Sequence, residues 1–346
     1  MTSGASASAP PGLDLDRLTG YLESVVPGRL AGPVRARLIA GGRSNLTYEL
    51  TDGEHRWVLR RPPLGHVLET AHDMGREFRI LDALAGSAVP VPPLVGHCTD
   101  DAVLGAPFYI MDFVDGVILR TDDQLAELGP DEAAGLADSL VDVLAELHLV
   151  DYERVGLADF GRPLGYLERQ LRRWGKQLAA SHTRDVPGFD ALATRLGAAI
   201  PGSQRACIVH GDYRLDNVIL APAPAAEVLA VLDWEMATLG DPLTDVGMLL
   251  MYWDGWAGMQ NPITATPGDH AGFPARDRLA RRYAARTGLD LAHLDWYFGF
   301  AFYKIAVILE GIHYRFAKGL TVGEGFERIG DMVPELVGRG LAALES

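Results

Sequence analysis

With 346 residues, 48% of them hydrophobic and 22% charged, the chain carries enough apolar material for two lobes rather than one small module. Its net charge of −15 works against non-specific attraction to nucleic acid or to an anionic membrane, and no apolar run reaches the length of a bilayer span. The two cysteines, Cys98 and Cys207, adjoin apolar segments and read as buried free thiols of a reducing, cytoplasmic protein rather than a disulfide framework. Residues 1–12 lack the basic-then-apolar order of a secretory signal and read as a disordered tail.

Residues 13–26 have helical apolar spacing that ends at Pro27 and Gly28. Residues 34–40 read as a strand. The stretch GGRSNLTYELTD follows, in which Gly41 and Gly42 permit a tight turn, Ser44, Asn45 and Thr47 add polar groups, and an alternating strand begins. A second turn and strand, GEHRWVLRR, complete a unit that can lay backbone N–H groups over phosphates; a plain hairpin explains the same glycines. After Pro62 and Pro63, a helix carries Met74, Phe78 and Leu81 on one stripe with Glu77 beside it. A proline-stiffened extended passage then leads to the apolar strand APFYIMDFV, which bends at Asp115 and Gly116. The pattern is strand-rich before this bend and helical after it, so the lobes are expected at residues 13–115 and 116–346.

Residues 122–149 read as helix, and another begins near residue 164. On it Arg169, Arg172, Arg173 and Lys176 fall at i, i+3, i+4 and i+7, giving one basic stripe. A solvated face is the plain account of that stripe; a docking surface for an anionic substrate is the functional one. A helix over 189–199 precedes the most informative stretch, IVHGDYRLDNVIL, then an Ala/Pro-rich turn, then VLAVLDWEMATLGDPLTDVG. Two apolar runs separated by a turn predict a small paired-strand ledge that gathers Asp212, Asn217 and Asp233 around one point. Hard oxygen donors so placed suit Mg²⁺ and phosphate chemistry. Beyond it come an apolar helix from residue 248, a long loop or lid over 258–273, helices near 275–287 and 291–318, and a closing helical segment. No His/Cys spacing near His210 suits zinc.

The combination of HGDYRLDN with LDWE resembles the aminoglycoside phosphotransferase-like and choline-kinase-like families, whose fold is bilobal, α+β and protein-kinase-like. The likeness runs over residues 30–320 and looks closest to the branch found fused to acyl-CoA dehydrogenases. It implies that Asp212 is catalytic, that Asn217 and Asp233 bind metal, and that His210 and Asp245 support the loop. Gly41, Gly42, Arg43, Ser44 and Asn45 would cover a nucleotide lying between the lobes. Met111 and Phe113 would offer backbone groups to its base. Arg60 stands where the family has a strand lysine, with Glu77 as its helix partner; the guanidinium keeps the charge but is larger and planar. An interlobe or surface ion pair would account for the same two residues. His148 and Asp151 would fix a helix end. By general placement, Tyr166, Arg169, Arg173, Trp174, Lys304, His313 and Arg315 are acceptor-pocket candidates.

The expected activity is Mg²⁺-dependent transfer of the γ-phosphoryl group of ATP or GTP to a small-molecule hydroxyl. The basic stripe and the branch favour a hydroxyacyl-CoA or another anionic metabolite as acceptor. An aminoglycoside or choline kinase, and a catalytically weak nucleotide-binding scaffold, are the alternatives. A nucleic-acid binder built on the stripe is disfavoured by the −15 charge.

Overall fold

The computed structural model describes residues 10–40, 45–64, 73–181, 184–222, 226–259, 264–320 and 327–345. These divide into two compact units, residues 1–85 with 91–115, and residues 86–90 with 116–346.

The first unit opens with α1 (Leu15–Val25), started by Asp14, whose side chain accepts from the Arg17 N–H. Strands β1 (Arg35–Ala40), β2 (Leu46–Thr51) and β3 (Arg56–Arg61) precede α2 (Met74–Leu84), which Asp73 caps in the same way. Then come β4 (Leu94–Cys98), the one-turn α3 (Asp101–Leu104) and β5 (Phe108–Asp112). The strands form one antiparallel sheet in the order β1-β2-β3-β5-β4. Period-two alternation decides its faces. Tyr48, Leu50, Trp57, Leu59, Phe108 and Ile110 pack with Leu18 and Leu22 of α1, while Arg60 and Tyr109, one position out of phase, meet Glu77 of α2. Fully burying each leucine of α1 contributes about 1.5–3 kcal/mol. The expected tail is shorter at its inner end, because the Tyr48 hydroxyl and the Arg61 guanidinium bond the carbonyls of Pro11 and Gly12; residues 1–9 lie outside the described residues.

The second unit is helical around a short β core. Its first helices are α4 (Asp122–Ala126), with a Thr121/Gln124 capping box, and α5 (Pro130–Leu149), with proline in its first turn. After α6 (Tyr166–Ser181) and α7 (Phe189–Ala198) come β6 (Cys207–Val209), β7 (Val218–Leu220), β8 (Val228–Val231) and β9 (Thr238–Gly240). These pair as two ribbons, β6 with β9 and β7 with β8. Helices α8 (Leu243–Asp254), α9 (Arg276–Thr287), α10 (Leu294–Ala317) and α11 (Val333–Ala343) complete the unit.

Helix α10 is the spine of this unit: it is 24 residues long and buried from Trp296 through Val307. Gly247 lets α8 lie against it, since a β-carbon there would stand 2.5 Å from the Tyr297 carbonyl oxygen. No helix among the described residues is long and apolar enough to cross a membrane. Both cysteines are buried and free.

Candidate active site

The β7–β8 ribbon does the gathering that the sequence predicts. Asn217 immediately precedes β7 and Asp233 follows β8 by two residues, so both lie at one end of the pair. The Leu232 N–H bonds the Asn217 carbonyl at 2.8 Å. Asp212 joins them from the loop after β6, because the Asn217 side-chain amide donates to the Asp212 carbonyl at 2.9 Å and to Asp212 Oδ2 at 3.2 Å. With its NH₂ turned to Asp212, Asn217 has its amide oxygen left to meet a cation. Asp233 sits at φ 64°, the one non-glycine residue in left-handed conformation among the described residues. Holding it there costs about 1–3 kcal/mol, a strain that aims its carboxylate. One carboxylate and one amide oxygen fit Mg²⁺, which takes few protein ligands and fills its shell with phosphate and water. Among the described residues no cluster of three His, Cys, Asp or Glu offers a protein-only cage.

Below this triad lies its support. Asp245, fully buried on α8, accepts from the His210 N–H at 2.6 Å and the Gly211 N–H at 2.8 Å. Gly211 takes φ +86° to turn the chain toward Asp212. The His210 ring bridges two runs, with Nε2 donating to the Leu232 carbonyl at 2.9 Å and Nδ1 accepting from the Asp212 N–H at 3.2 Å. His148 lies in the last turn of α5, where the sequence reading places it, and from there presents Nε2 to Asp245 at 3.3 Å and Nδ1 to the Tyr283 hydroxyl at 2.6 Å. Burial alone would raise the Asp245 carboxyl, but the hydrogen bonds it receives from His148 and the Gly211 N–H hold it below its ordinary range. Asp241 shifts the other way: burial raises it despite bonds from the Leu243 N–H and the Tyr297 hydroxyl.

Arg214 is the residue that sequence reasoning missed. Its Nε lies 3.5 Å from Asp212 Oδ2, its Nη1 3.3 Å from Asp216 Oδ2, and its guanidinium carbon 4.8 Å from the centre of the Tyr252 ring. Burial works to lower its pKa, yet Tyr252, Asp212, Asp216 and Asp233 outweigh that and keep it charged. Tyr252 is pushed up by burial and by the nearby Asp212 carboxylate. The signal was present in the motif: Asp212, Arg214 and Asp216 alternate through a short turn. Asp216 is raised by burial and receives a hydrogen bond from Thr264 at 3.0 Å. That bond corrects the lid expectation for 258–273. Thr264, Ala265, Thr266 and Pro267 are buried, and Thr266 and His270 both bond Asp122, so polar anchors pack this stretch down; residues 260–263 lie outside the described residues.

In the first unit, Arg60 Nε stands 3.2 Å from Glu77 Oε2. Glu77 also receives the Tyr109 hydroxyl at 2.9 Å and the Asn45 amide at 2.5 Å. The pair is buried within one unit, which removes the interlobe and surface readings. Met111 is buried in β5, registered opposite both Val58 and Leu94. The Phe113 N–H donates to the Arg56 carbonyl at 3.1 Å, so of its backbone groups the carbonyl is the one that could meet a base edge. Gly41, Gly42, Arg43 and Ser44 lie outside the described residues.

The acceptor candidates separate. Tyr166 is buried against Gly240, where an added β-carbon would touch its ring at 2.7 Å, and burial raises its phenol. Arg169 turns back onto the carbonyls of Arg162 and Leu164 and fastens the start of α6. Both are corrected from pocket lining to scaffold, because β9 claims Tyr166 and the loop before α6 claims Arg169. His313 and Arg315 sit nine and eleven residues beyond Lys304 on α10, about 13–16 Å along the axis. Lys304 is buried, and its ammonium donates to the Gly211 carbonyl, one residue from Asp212. Arg173 is exposed on α6 beside Trp174.

The model of the phosphotransferase enzyme family matches residues 35–297. The chain belongs to that family. A Ralstonia eutropha protein assigned to the aminoglycoside phosphotransferases superposes with TM-score 0.84 at 35% identity, over 96% of this chain and 98% of that one. Mouse acyl-CoA dehydrogenase family member 10 is 36% identical over 88% of this chain and 28% of its own length. For rat family member 11 the values are 34%, 95% and 43%, so the chain spans less than half of these curated relatives. More distant structures share the fold. An APH(2″) enzyme solved with GDP and kanamycin has TM-score 0.63 at 18% identity, over 94% and 98% of the two chains. A thermostable APH(4) variant solved with AMP-PNP and hygromycin B has TM-score 0.60 at 16%, over 94% and 97%.

Proposed function

We propose that the protein is a Mg²⁺-dependent small-molecule kinase that moves the γ-phosphoryl group of ATP or GTP onto an alcohol, with a hydroxyacyl-CoA or another anionic metabolite as acceptor. The observation that carries this reading is the convergence of Asp212, Asn217 and Asp233 at one hairpin end, on a backbone loop clamped by Asp245.

Asp212 is the general base. Its carboxylate is about a quarter exposed, while the Asn217 amide fixes its direction, so it can orient an acceptor hydroxyl and take its proton as the new O–P bond forms. Asn217 and Asp233 are the residues that hold Mg²⁺, which when bound neutralises phosphate oxygens. Arg214 adds a fixed positive charge beside the reacting atoms. In the first unit, Glu77 holds the Arg60 guanidinium ready for donor phosphates. The relatives solved with GDP and with AMP-PNP support a purine nucleotide as donor. Lys304 and Arg214 near Asp212, with Arg173 within electrostatic reach of Lys304, favour an anionic acceptor over a polycation such as an aminoglycoside.

The test is phosphoryl transfer from labelled ATP or GTP, with and without Mg²⁺, to small hydroxy acids such as β-hydroxybutyrate, hydroxyacyl-CoAs, cholines and aminoglycosides. Mg²⁺-dependent product with an anionic acceptor, and none with the cholines or aminoglycosides, is expected. Nucleotide binding without transfer to any of the panel would leave a scaffold instead.

A further inference from the structure

Elsewhere in this unit a half-buried cation, Arg184, has its partners. Arg184 meets the Glu310 carboxylate at 2.8 Å and the Gly330 carbonyl at 2.6 Å. Lys304 is different. It has three N–H donors, yet among the described residues its ammonium meets one acceptor, the Gly211 carbonyl. The carboxylates of Asp212 and Asp245 act on it only through space, and burial together with the Arg173 charge outweighs them.

A second unfinished donor lies beside it. The indole N–H of Trp174 is buried with no hydrogen-bond partner among the described residues. The Lys304 ammonium stands 5.7 Å from the Trp174 ring centre, and the Arg173 guanidinium 5.3 Å from it. Arg173 makes no ion pair with any described residue. Two like charges and a bare indole N–H thus gather around one ring, which costs free energy unless an anion joins them. Their anchors are α6 and α10, helices outside the hairpin that carries Asn217 and Asp233.

We infer that Trp174, Lys304 and Arg173 form an anion subsite beside Asp212, which receives a carboxylate or phosphate group of the acceptor and so sets the hydroxyl against the base. The inference rests on the kinase reading above, and it chooses between that reading's two acceptors: a small hydroxy acid or phosphate ester carries an anionic oxygen group near the alcohol that is phosphorylated, whereas a hydroxyacyl-CoA has a neutral thioester there. A neutral or cationic acceptor leaves the indole and ammonium donors unpaired, a penalty that rejects it.

The test is a proton–nitrogen NMR titration of the full chain without nucleotide, following the indole N–H of Trp174, identified by its loss in Trp174→Phe. The probes are inorganic phosphate, β-hydroxybutyrate and the neutral amide of that acid. Saturable movement with phosphate or β-hydroxybutyrate, but not with the amide, is expected, and the tighter ion identifies the native group. Arg173→Gln, a surface change, and Lys304→Met should each weaken that binding about tenfold. No movement with either ion, equal movement with the amide, or undiminished affinity in Arg173→Gln would overturn the subsite. Because no transfer is measured, a protein that binds the anion yet phosphorylates nothing would sink the kinase and keep the subsite. Transfer equally fast to neutral alcohols would do the reverse.

Discussion

Two regions of the second unit use the same residue types to opposite ends. Along α5 and α9, Arg278, Arg282 and Arg286 face Asp138, Asp142 and Glu146, each set spaced by four residues, with N···O distances of 2.6–3.2 Å. Every charge on this ladder is answered, and the arginines stand at the surface. Around the catalytic loop the accounts do not close. Nε and Nη1 of Arg214 make no hydrogen bond although Asp212 and Asp216 lie 3.5 and 3.3 Å away. A self-satisfied ladder has nothing to offer a ligand. An unfinished buried cluster does, and completing it is what substrate binding supplies.

The contrast can be broken from its most costly end. Asp245→Ala strips two backbone N–H groups and His148 of their acceptor, and should destabilise the protein by about 3 kcal/mol, read as a drop in denaturation midpoint, with transfer lost alongside. Arg214→Met leaves Asp212 and Asp216 without their counter-charge but each with one other donor, Asn217 and Thr264, so it should cost less stability than Asp245→Ala, while transfer falls about a hundredfold; melting and initial rates on one preparation check this. A stability loss as large as that of Asp245→Ala would show that Arg214 is scaffold. The acid limb of stability gives a third measure. The Asp245 carboxyl is held below its ordinary 3.8, so its contribution is fully present above that pH and is lost as pH falls through the lower folded value. Asp245→Asn should therefore flatten the stability–pH curve below about pH 4. Smallest of all, Arg278→Gln in the ladder should change stability by about 0.5 kcal/mol, screened further by salt, and leave transfer untouched.

The helices were legible because their apolar period is local: α9 and α10 fall within three residues of the ranges expected from spacing alone. So was the hairpin, since two apolar runs across an Ala/Pro turn leave few alternatives. Strand β9 was not, because three residues carry no periodicity and its pairing with β6 spans about thirty residues of chain. The site divides along the same line. Asp212, Asn217 and Asp233 are close in sequence, and local strand geometry brings them together. Tyr166, Arg169, His313 and Arg315 depended on how helices pack and turn, which spacing does not encode. The stretch over 258–273 read as a long loop or lid for its glycines and prolines, while its distant anchors, Asp122 and Asp216, gave no local sign.

The most direct measurement compares wild type with Asp212→Asn in single-turnover transfer from γ-labelled ATP, with Mg²⁺-nucleotide affinity measured on the same samples. Asparagine keeps the shape and the contacts of Asp212 but is a far weaker base. Affinity should stay within about twofold while transfer falls about a thousandfold. Unchanged transfer in Asp212→Asn would contradict the account.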